Sequence, residues 1–416
     1  MRTVNLAVLM AAFLSAAGAA ADSWEKPKTF KADQVLTPAE IKGEHHAVDG
    51  TVPTAGFYYS FVLHTDFGDL RPVGLDLLRK RIQETKALQA LSEVSRTGVF
   101  LEAAGRSLES MGKGIVQVAE DPKGTAKGIG AGVKRFGHNL GRKSKRAVDD
   151  IRDDDDENNE EKSTAEKTEN VANSVLGVNK SARIWAQKLQ VDPYSRNPAL
   201  QKALIAVAKI DAAGGIATKV VIPIPTIVST TSSVGSLVWG KDPEALRKTN
   251  EAGLKALGVS EEVAGQFFRN DTYTLTYQTR FVAALTAVKA KGLADYVDAA
   301  RRAKTPREAL FFVSSAEMLQ RQHGQGAVSA VLTDSRAMVA LSGGRAVALL
   351  PLDYLAWTEP VAQAATEIAA RAKKELGATG LEMQLTGQAS ERARKELQGL
   401  GWTLKEKASS GSPTGK

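Results

Sequence analysis

Residues 327–350 read AVSAVLTDSRAMVALSGGRAVALL. Three short apolar runs stand out in it, Ala327 to Leu332, Ala337 to Leu341 and Ala346 to Leu350, parted by Asp334-Ser335 and by Gly343-Gly344. Apolar runs of this length, bounded by turn formers, read as strands. Beyond them the period changes. Thr358 to Leu376 carries an amphipathic helical pattern, opened by Thr358 and Pro360 and closed by Gly377. Leu381 to Thr386 is a further strand, Ser390 to Leu400 a helix, and Trp402 to Lys405 a last strand. Strands in succession, then strands alternating with helices, predict a small α/β module over residues 326–408, with 409–416 as a flexible tail.

Upstream, residues 171–325 read as a helical region. Asp192-Pro193, Asn197-Pro198, Asp242-Pro243 and Thr305-Pro306 each set a capping side chain before a proline suited to a first helical turn. Glu308 completes a capping box with Thr305. Leu200, Leu204 and Val207 form a helical stripe, as do Leu246, Leu254 and Leu257, and Leu310, Val313 and Leu319.

The N-terminal region, 22–122, opens with a second capping box in Thr37-Pro38-Ala39-Glu40, the short helix ending at Gly43. Phe57, Tyr59, Phe61 and Leu63 then alternate with Tyr58, Ser60, Val62 and His64, which predicts one strand running to Thr65. Asp66-Phe67-Gly68-Asp69 is turn chemistry, and Leu70 to Val73 is the returning strand of a hairpin. From Leu75 a helical side forms through Leu78, Ile82, Leu88 and Leu91, with Arg79, Lys80, Gln83, Glu84 and Lys86 on the other sides. A second helix is expected from Thr97 to about Met111. The predicted class is α+β, predominantly helical: N-terminal β-hairpin and helices, charged linker, helical middle region, small C-terminal α/β module.

Residues 1–21 have the layout of a secretory signal peptide. Arg2 is followed by an apolar run from Val4 to Ala16 and by Ala17-Gly18-Ala19-Ala20-Ala21, which offers small-residue cleavage positions before Asp22. The run is too short to span a bilayer. The expected location is periplasmic or secreted, with the leader removed near Ala21. With no cysteine in the 416 residues, the chain forms no disulfide and is not a lipoprotein.

The net charge of +8 is unevenly spread. Lys123, Lys127, Lys134, Arg135, Arg142, Lys143, Lys145 and Arg146 follow one another with no acidic residue among them. Asp149, Asp150, Asp153 to Asp156, Glu157, Glu160 and Glu161 come next, interrupted by Arg152. Charge blocks of this kind do not bury enough apolar surface to fold alone, so residues 123–170 read as a basic then acidic linker. Within it Ala126, Ile129, Val133, Phe136 and Leu140 are spaced as a narrow helical stripe among the cations. Six glycines from Gly124 to Gly141 weaken that helix in water, each by about 1 kcal/mol relative to alanine. The candidate surface is therefore Ile129, Val133, Phe136 and Leu140 with those eight cations. An anionic membrane surface or an envelope protein is its expected partner, against a docked surface helix or plain linker. Phe136 is its one aromatic, which gives no stacking platform for nucleic acid.

No catalytic constellation stands out, and no cofactor or metal is expected. Gly235 to Lys241 matches a phosphate loop up to the lysine, but Asp242 stands where a hydroxyl is needed, and helix capping accounts for it better. The uncharged stretch Val220 to Gly240 contains Pro223, Pro225 and seven Ser or Thr residues, which suit a buried loop and helix rather than a membrane span. His64, Asp66 and Asp69 form a metal-like grouping, and turn formation is the plainer role for the two aspartates.

Asp66-Phe67-Gly68, Val191-Asp192-Pro193-Tyr194-Ser195 with Asn197-Pro198, Asp353-Tyr354-Leu355-Ala356-Trp357-Thr358, and Leu385-Thr386-Gly387 leading to Gly401-Trp402 resemble a family of uncharacterised exported proteobacterial proteins. The resemblance covers most of the mature chain and implies export and a shared architecture, with no activity attached. The function expected is that of a non-enzymatic envelope protein binding a partner or an anionic membrane surface. The alternative is an exported enzyme, such as a hydrolase, with a site between the helical region and the α/β module near Asp353. Oligomeric state is left open.

Overall fold

A computed structural model describes residues 24–96, 180–212, 233–334 and 337–409. The expected leader, the second N-terminal helix, the basic and acidic blocks and most of Val220 to Gly240 lie outside the described residues.

The N-terminal part is built from β1 (Thr29–Lys31), α1 (Pro38–Ile41), β2 (Lys42–Gly43), β3 (His46–Val48), β4 (Thr51–Ala55), β5 (Tyr58–Tyr59), β6 (Leu63–Thr65) and the long helix α2 (Leu75–Arg96). Helix α1 starts as its sequence dictates, with the Thr37 backbone N–H donating to Glu40 Oε2 at 2.8 Å. The strands form two antiparallel three-stranded sheets, ordered β1-β4-β5 and β2-β3-β6.

The single strand expected from Phe57 to Thr65 is thus divided. Its first part pairs with β4 and its second with β3, and Phe61 and Val62 link them. The alternation survives the break, because Tyr59, Phe61 and Leu63 all point into one core, while Phe57 is exposed. Edge-to-face contacts of Phe30 with Tyr59 and of Tyr59 with Phe61 fill that core at centroid distances of 5.3 and 6.1 Å. Leu70 to Val73 returns antiparallel as isolated bridges, Leu63 to Leu70 and Ser60 to Val73. On α2, Leu78, Ile82, Leu88 and Leu91 are buried as their spacing requires. Glu84 departs from the pattern: it is 1% exposed rather than on a solvated side.

The middle of the chain supplies α3 (180–188), α4 (Pro198–Ala212), α5 (Ser233–Gly240), α6 (Pro243–Ala256), α7 (Glu261–Arg269), α8 (Leu275–Thr286), α9 (Leu293–Ala300) and α10 (Pro306–Gln325). Asp242 and Thr305 cap α6 and α10 by accepting the backbone N–H of Ala245 at 2.9 Å and Glu308 at 3.1 Å. Asn197 does the same for α4 through Ala199 N–H at 3.1 Å. Asp192-Pro193 starts no helix. Asp192 instead folds an Asx turn with Tyr194 N–H at 2.9 Å, its carboxylate being taken up by α2 and α8.

The C-terminal part carries β7 (Val328–Asp334), β8 (Ala337–Ser342), β9 (Arg345–Leu350), β10 (Tyr354–Leu355), α11 (Glu359–Leu376), β11 (Gly380–Leu385), β12 (Gln388–Ala389), α12 (Glu391–Gly399) and β13 (Trp402–Lys405). Five strands make one mixed sheet in the order β13-β11-β9-β8-β7. β7, β8 and β9 form an antiparallel meander, and β9, β11 and β13 run parallel through the helical crossovers α11 and α12. Its residues alternate between two cores. Met338, Ala340, Val347 and Leu349 face α8, α9 and α10, while Val339, Ala346, Ala348 and Leu350 face α11 and α12. Burial on both faces explains why these strands read as continuous apolar runs. One apolar cluster therefore joins the middle helices to the sheet, and the overall class is α+β with helix and sheet sharing a core.

Candidate anion-binding cleft

Helix α2 is where the three parts meet. Its first turns face the loop 192–197 and the N-termini of α8 and α10, and a cleft of about 240 Å³ lies between them. Five cations line it, Arg71, Lys80, Arg81, Arg196 and Arg307, with the hydroxyl-bearing Thr274, Tyr277 and Thr305. No carboxylate is among the lining residues. The rest of the wall is apolar: Val73, Leu77, Pro306 and Leu310.

Three of the cations are anchored from behind by acids. Lys80 Nζ donates to Asp192 Oδ2 at 2.8 Å, and Thr276 Oγ1 donates to the other oxygen. Burial opposes ionisation of both partners. Their mutual attraction outweighs it, holding the Asp192 carboxyl below and the Lys80 amine above the ordinary value. Arg81 donates to Glu84 and, at 3.3 Å, to Ser195 Oγ. Glu84 also accepts from the Ser195 hydroxyl and from Asn197 Nδ2 at 3.0 Å, so its buried carboxylate is held by three side chains. Arg307 donates to Asp76 Oδ1 at 2.7 Å and lies 3.8 Å over the Tyr58 ring. Burial works against its charge, and Asp76 more than restores it, raising its pKa.

The other two have no such anchor. Arg71 is exposed and makes no ion pair among the described residues. Arg196 donates to the backbone carbonyl of Asp271, and its Nε is buried without a partner. Its pKa is lowered by burial and by the charge of Arg81, partly offset by Tyr277 and Asp271. The Tyr277 ring sits between Lys80 and Arg280, at 5.5 and 5.8 Å, and Arg280 is fixed by two 2.8 Å bonds to Glu317. Thr274 and Thr305 are the N-caps of α8 and α10, so two helix N-termini add their partial positive charge to the same space. Unscreened cations, helix ends and a partly apolar wall are the chemistry of a site for a small organic anion.

The twelve residues expected to form a binding surface, Lys123 to Arg146, all lie outside the described residues. The metal-like grouping is assembled differently from its reading. His64 bonds Asp69 at 2.8 Å through Nδ1 and Asp49 at 3.0 Å through Nε2, whereas Asp66 pairs with His45 at 2.8 Å. Both ring nitrogens of His64 are therefore taken by carboxylates. Asp353 lies between β9 and β10, and its carboxylate accepts the backbone N–H of Tyr59 at 3.0 Å and of Leu75 at 3.1 Å. Burial raises its pKa to about 6, with those hydrogen bonds opposing the shift. Among the described residues, no helix is long and apolar enough to cross a membrane.

Sequence reasoning missed the cleft because its cations lie on segments from Arg71 to Arg307. Two signals pointed there: Arg196 lies inside the Asp192 to Pro198 stretch, and Thr305-Pro306 marks a helix start. Neither says that the two meet. No protein-family model, characterised protein or solved structure matches the chain.

Proposed function

We propose that this chain is an exported, non-enzymatic binding protein that takes a small organic anion in the cleft between α2, α8 and α10. The observation that carries the reading is the pair Arg71 and Arg196, two cations on the cleft wall that form no ion pair among the described residues. The test is calorimetric titration of the mature chain with small carboxylates and phosphate at low ionic strength. Saturable binding that weakens with added salt is expected, because exposed charges are screened over about 10 Å at 0.1 M. The reading fails if no anion binds saturably.

A second surface follows from the charge pattern of residues 123–146, which suits an anionic membrane or an acidic envelope partner. In this reading residues 123–170 are a charged linker that tethers the folded parts to the envelope. Salt-sensitive flotation with anionic liposomes, lost on deleting residues 123–161, is the outcome that supports it. The enzyme alternative places its site elsewhere, between the helical region and the α/β module near Asp353, whereas the cleft is lined by α2 and the helical region; turnover of a bound anion would replace the binding reading.

A further inference from the structure

The cations of the cleft fall into two sets at its two ends. At one end, Arg307 Nη1 lies 3.3 Å from the carbonyl of Val73, two residues from Arg71, and pairs with Asp76 near the start of α2. At the other end, Arg81 bonds Ser195 Oγ, which places it beside Arg196, the next residue in the chain. Asp76 and Arg81 are five residues apart on α2, or about 7.5 Å along its axis at 1.5 Å per residue. Each end is thus assigned one cation paired with an acid and one outside any ion pair among the described residues: Arg307 with Arg71, and Arg81 with Arg196. Leu77 of α2 lies between the two ends in sequence, and Val73, Pro306 and Leu310 extend the apolar wall.

We propose that the ligand is a short organic dianion carrying one anionic group at each end, an α,ω-dicarboxylate, lying along the first turns of α2. This rests on the anion-binding reading above and adds valence and shape to it. Two cations outside any ion pair among the described residues, one assigned to each end of the cleft, match two negative charges held apart better than one doubly charged head. Guanidinium groups suit carboxylates because their planar donor fork meets both oxygens. The apolar wall suits a methylene chain, which loses water-exposed surface when it lies there. The cleft is smaller than the roughly 300–1,000 Å³ that holds drug-sized ligands, so a molecule of few carbons fits it.

The experiment is calorimetry on the full mature chain with succinate, glutarate and adipate, against butyrate and inorganic phosphate. At least one dicarboxylate is expected to bind about ten-fold or more tightly than butyrate and phosphate, a difference of about 1.4 kcal/mol. Arg71→Ala is the variant of choice, since that exposed side chain has no ion pair to lose among the described residues. It should bring the dicarboxylate down to the level of butyrate and leave butyrate itself within about two-fold. Arg196→Lys, which keeps a donor for the Asp271 carbonyl, should weaken both. Butyrate or phosphate binding as well as every dicarboxylate would overturn the two-ended ligand and leave the anion cleft standing. Absence of binding by all five would remove both.

Discussion

The carboxylate of Asp353 accepts the backbone N–H of Tyr59 at 3.0 Å, across 294 residues of sequence, and the same oxygen takes the N–H of Leu75 at 3.1 Å. One side chain at the corner after β9 therefore fixes both the second N-terminal strand pair and the first turn of α2. The neighbouring backbone is equally constrained, since the Asp353 and Tyr354 N–H groups both donate to the carbonyl of Phe57. That clamp positions α2, and α2 carries Lys80 and Arg81 into the cleft.

Stability should fall as pH rises through the range in which Asp353 ionises. Its carboxyl is pushed up to about 6 in the folded chain from an ordinary 3.8. Between those values the folded state binds the proton that the unfolded state has released, so the slope of stability against pH is negative there. Asp353→Asn should flatten this segment of a urea-unfolding series. Asp353→Ala, which strips both amide donors of their acceptor, should cost about 1–3 kcal/mol for each unsatisfied group at any pH.

His64 should add a second decline at higher pH. Hydrogen bonds to Asp69 and then Asp49 raise its pKa above the ordinary 6.5, outweighing a small effect of burial. The stabilisation is fully present below the unfolded value and is lost as pH rises through the folded one. The side chain is 48% exposed, so the effect is small and salt-sensitive. His64→Asn should lower the melting temperature at pH 5.5 and leave it unchanged at pH 9. An NMR titration of the ring that returns a value at or below 6.5 would contradict the assignment.

Glu84 anchors Arg81, Ser195 and Asn197 from a position 1% exposed to solvent. Glu84→Ala leaves the Arg81 guanidinium without its acid and should destabilise the chain by about 3–5 kcal/mol. Ser195→Ala removes a single hydroxyl and should cost about 1–3 kcal/mol. Denaturant unfolding of the two variants gives the ranking, and a Ser195 effect as large as that of Glu84 would be unexpected.

Gly387 meets the backbone of Asp353 so closely that an added Cβ would lie 1.9 Å from its carbonyl oxygen. Backbone cannot rotate aside as a side chain does, so Gly387→Ala should cost about 3 kcal/mol or more. Gly399, the last residue of α12, has open space around its Cβ position. Gly399→Ala should instead stabilise the helix by up to about 1 kcal/mol. Thermal unfolding of the pair separates close approach from helix propensity.

Much of the architecture was legible because it follows from local periodicity. The strands after Gly326, the helix closed by Gly377 and the stripes of α4 and α10 all occur where their patterns place them. Capping chemistry was equally local at Thr37, Asp242 and Thr305. Two readings failed at long-range contacts. Asp192-Pro193 has the form of a helix start, but Lys80 and Thr276 draw its carboxylate elsewhere. Phe57 to Thr65 alternates as one strand, yet two different partner strands compete for it.

By itself the sequence determined most of the helical and strand segments, most helix starts, and where charge is segregated, since these depend on neighbours within a turn or two. Tertiary structure alone decided that Arg71, Lys80, Arg81, Arg196 and Arg307 line one cleft, and which of them face an acid. It also decided that Glu84 is buried and that Asp353 clamps α2. Each of these depends on which distant segments are brought together, and on the burial that strips water from a charge and makes its partner matter. No spacing along the chain encodes either.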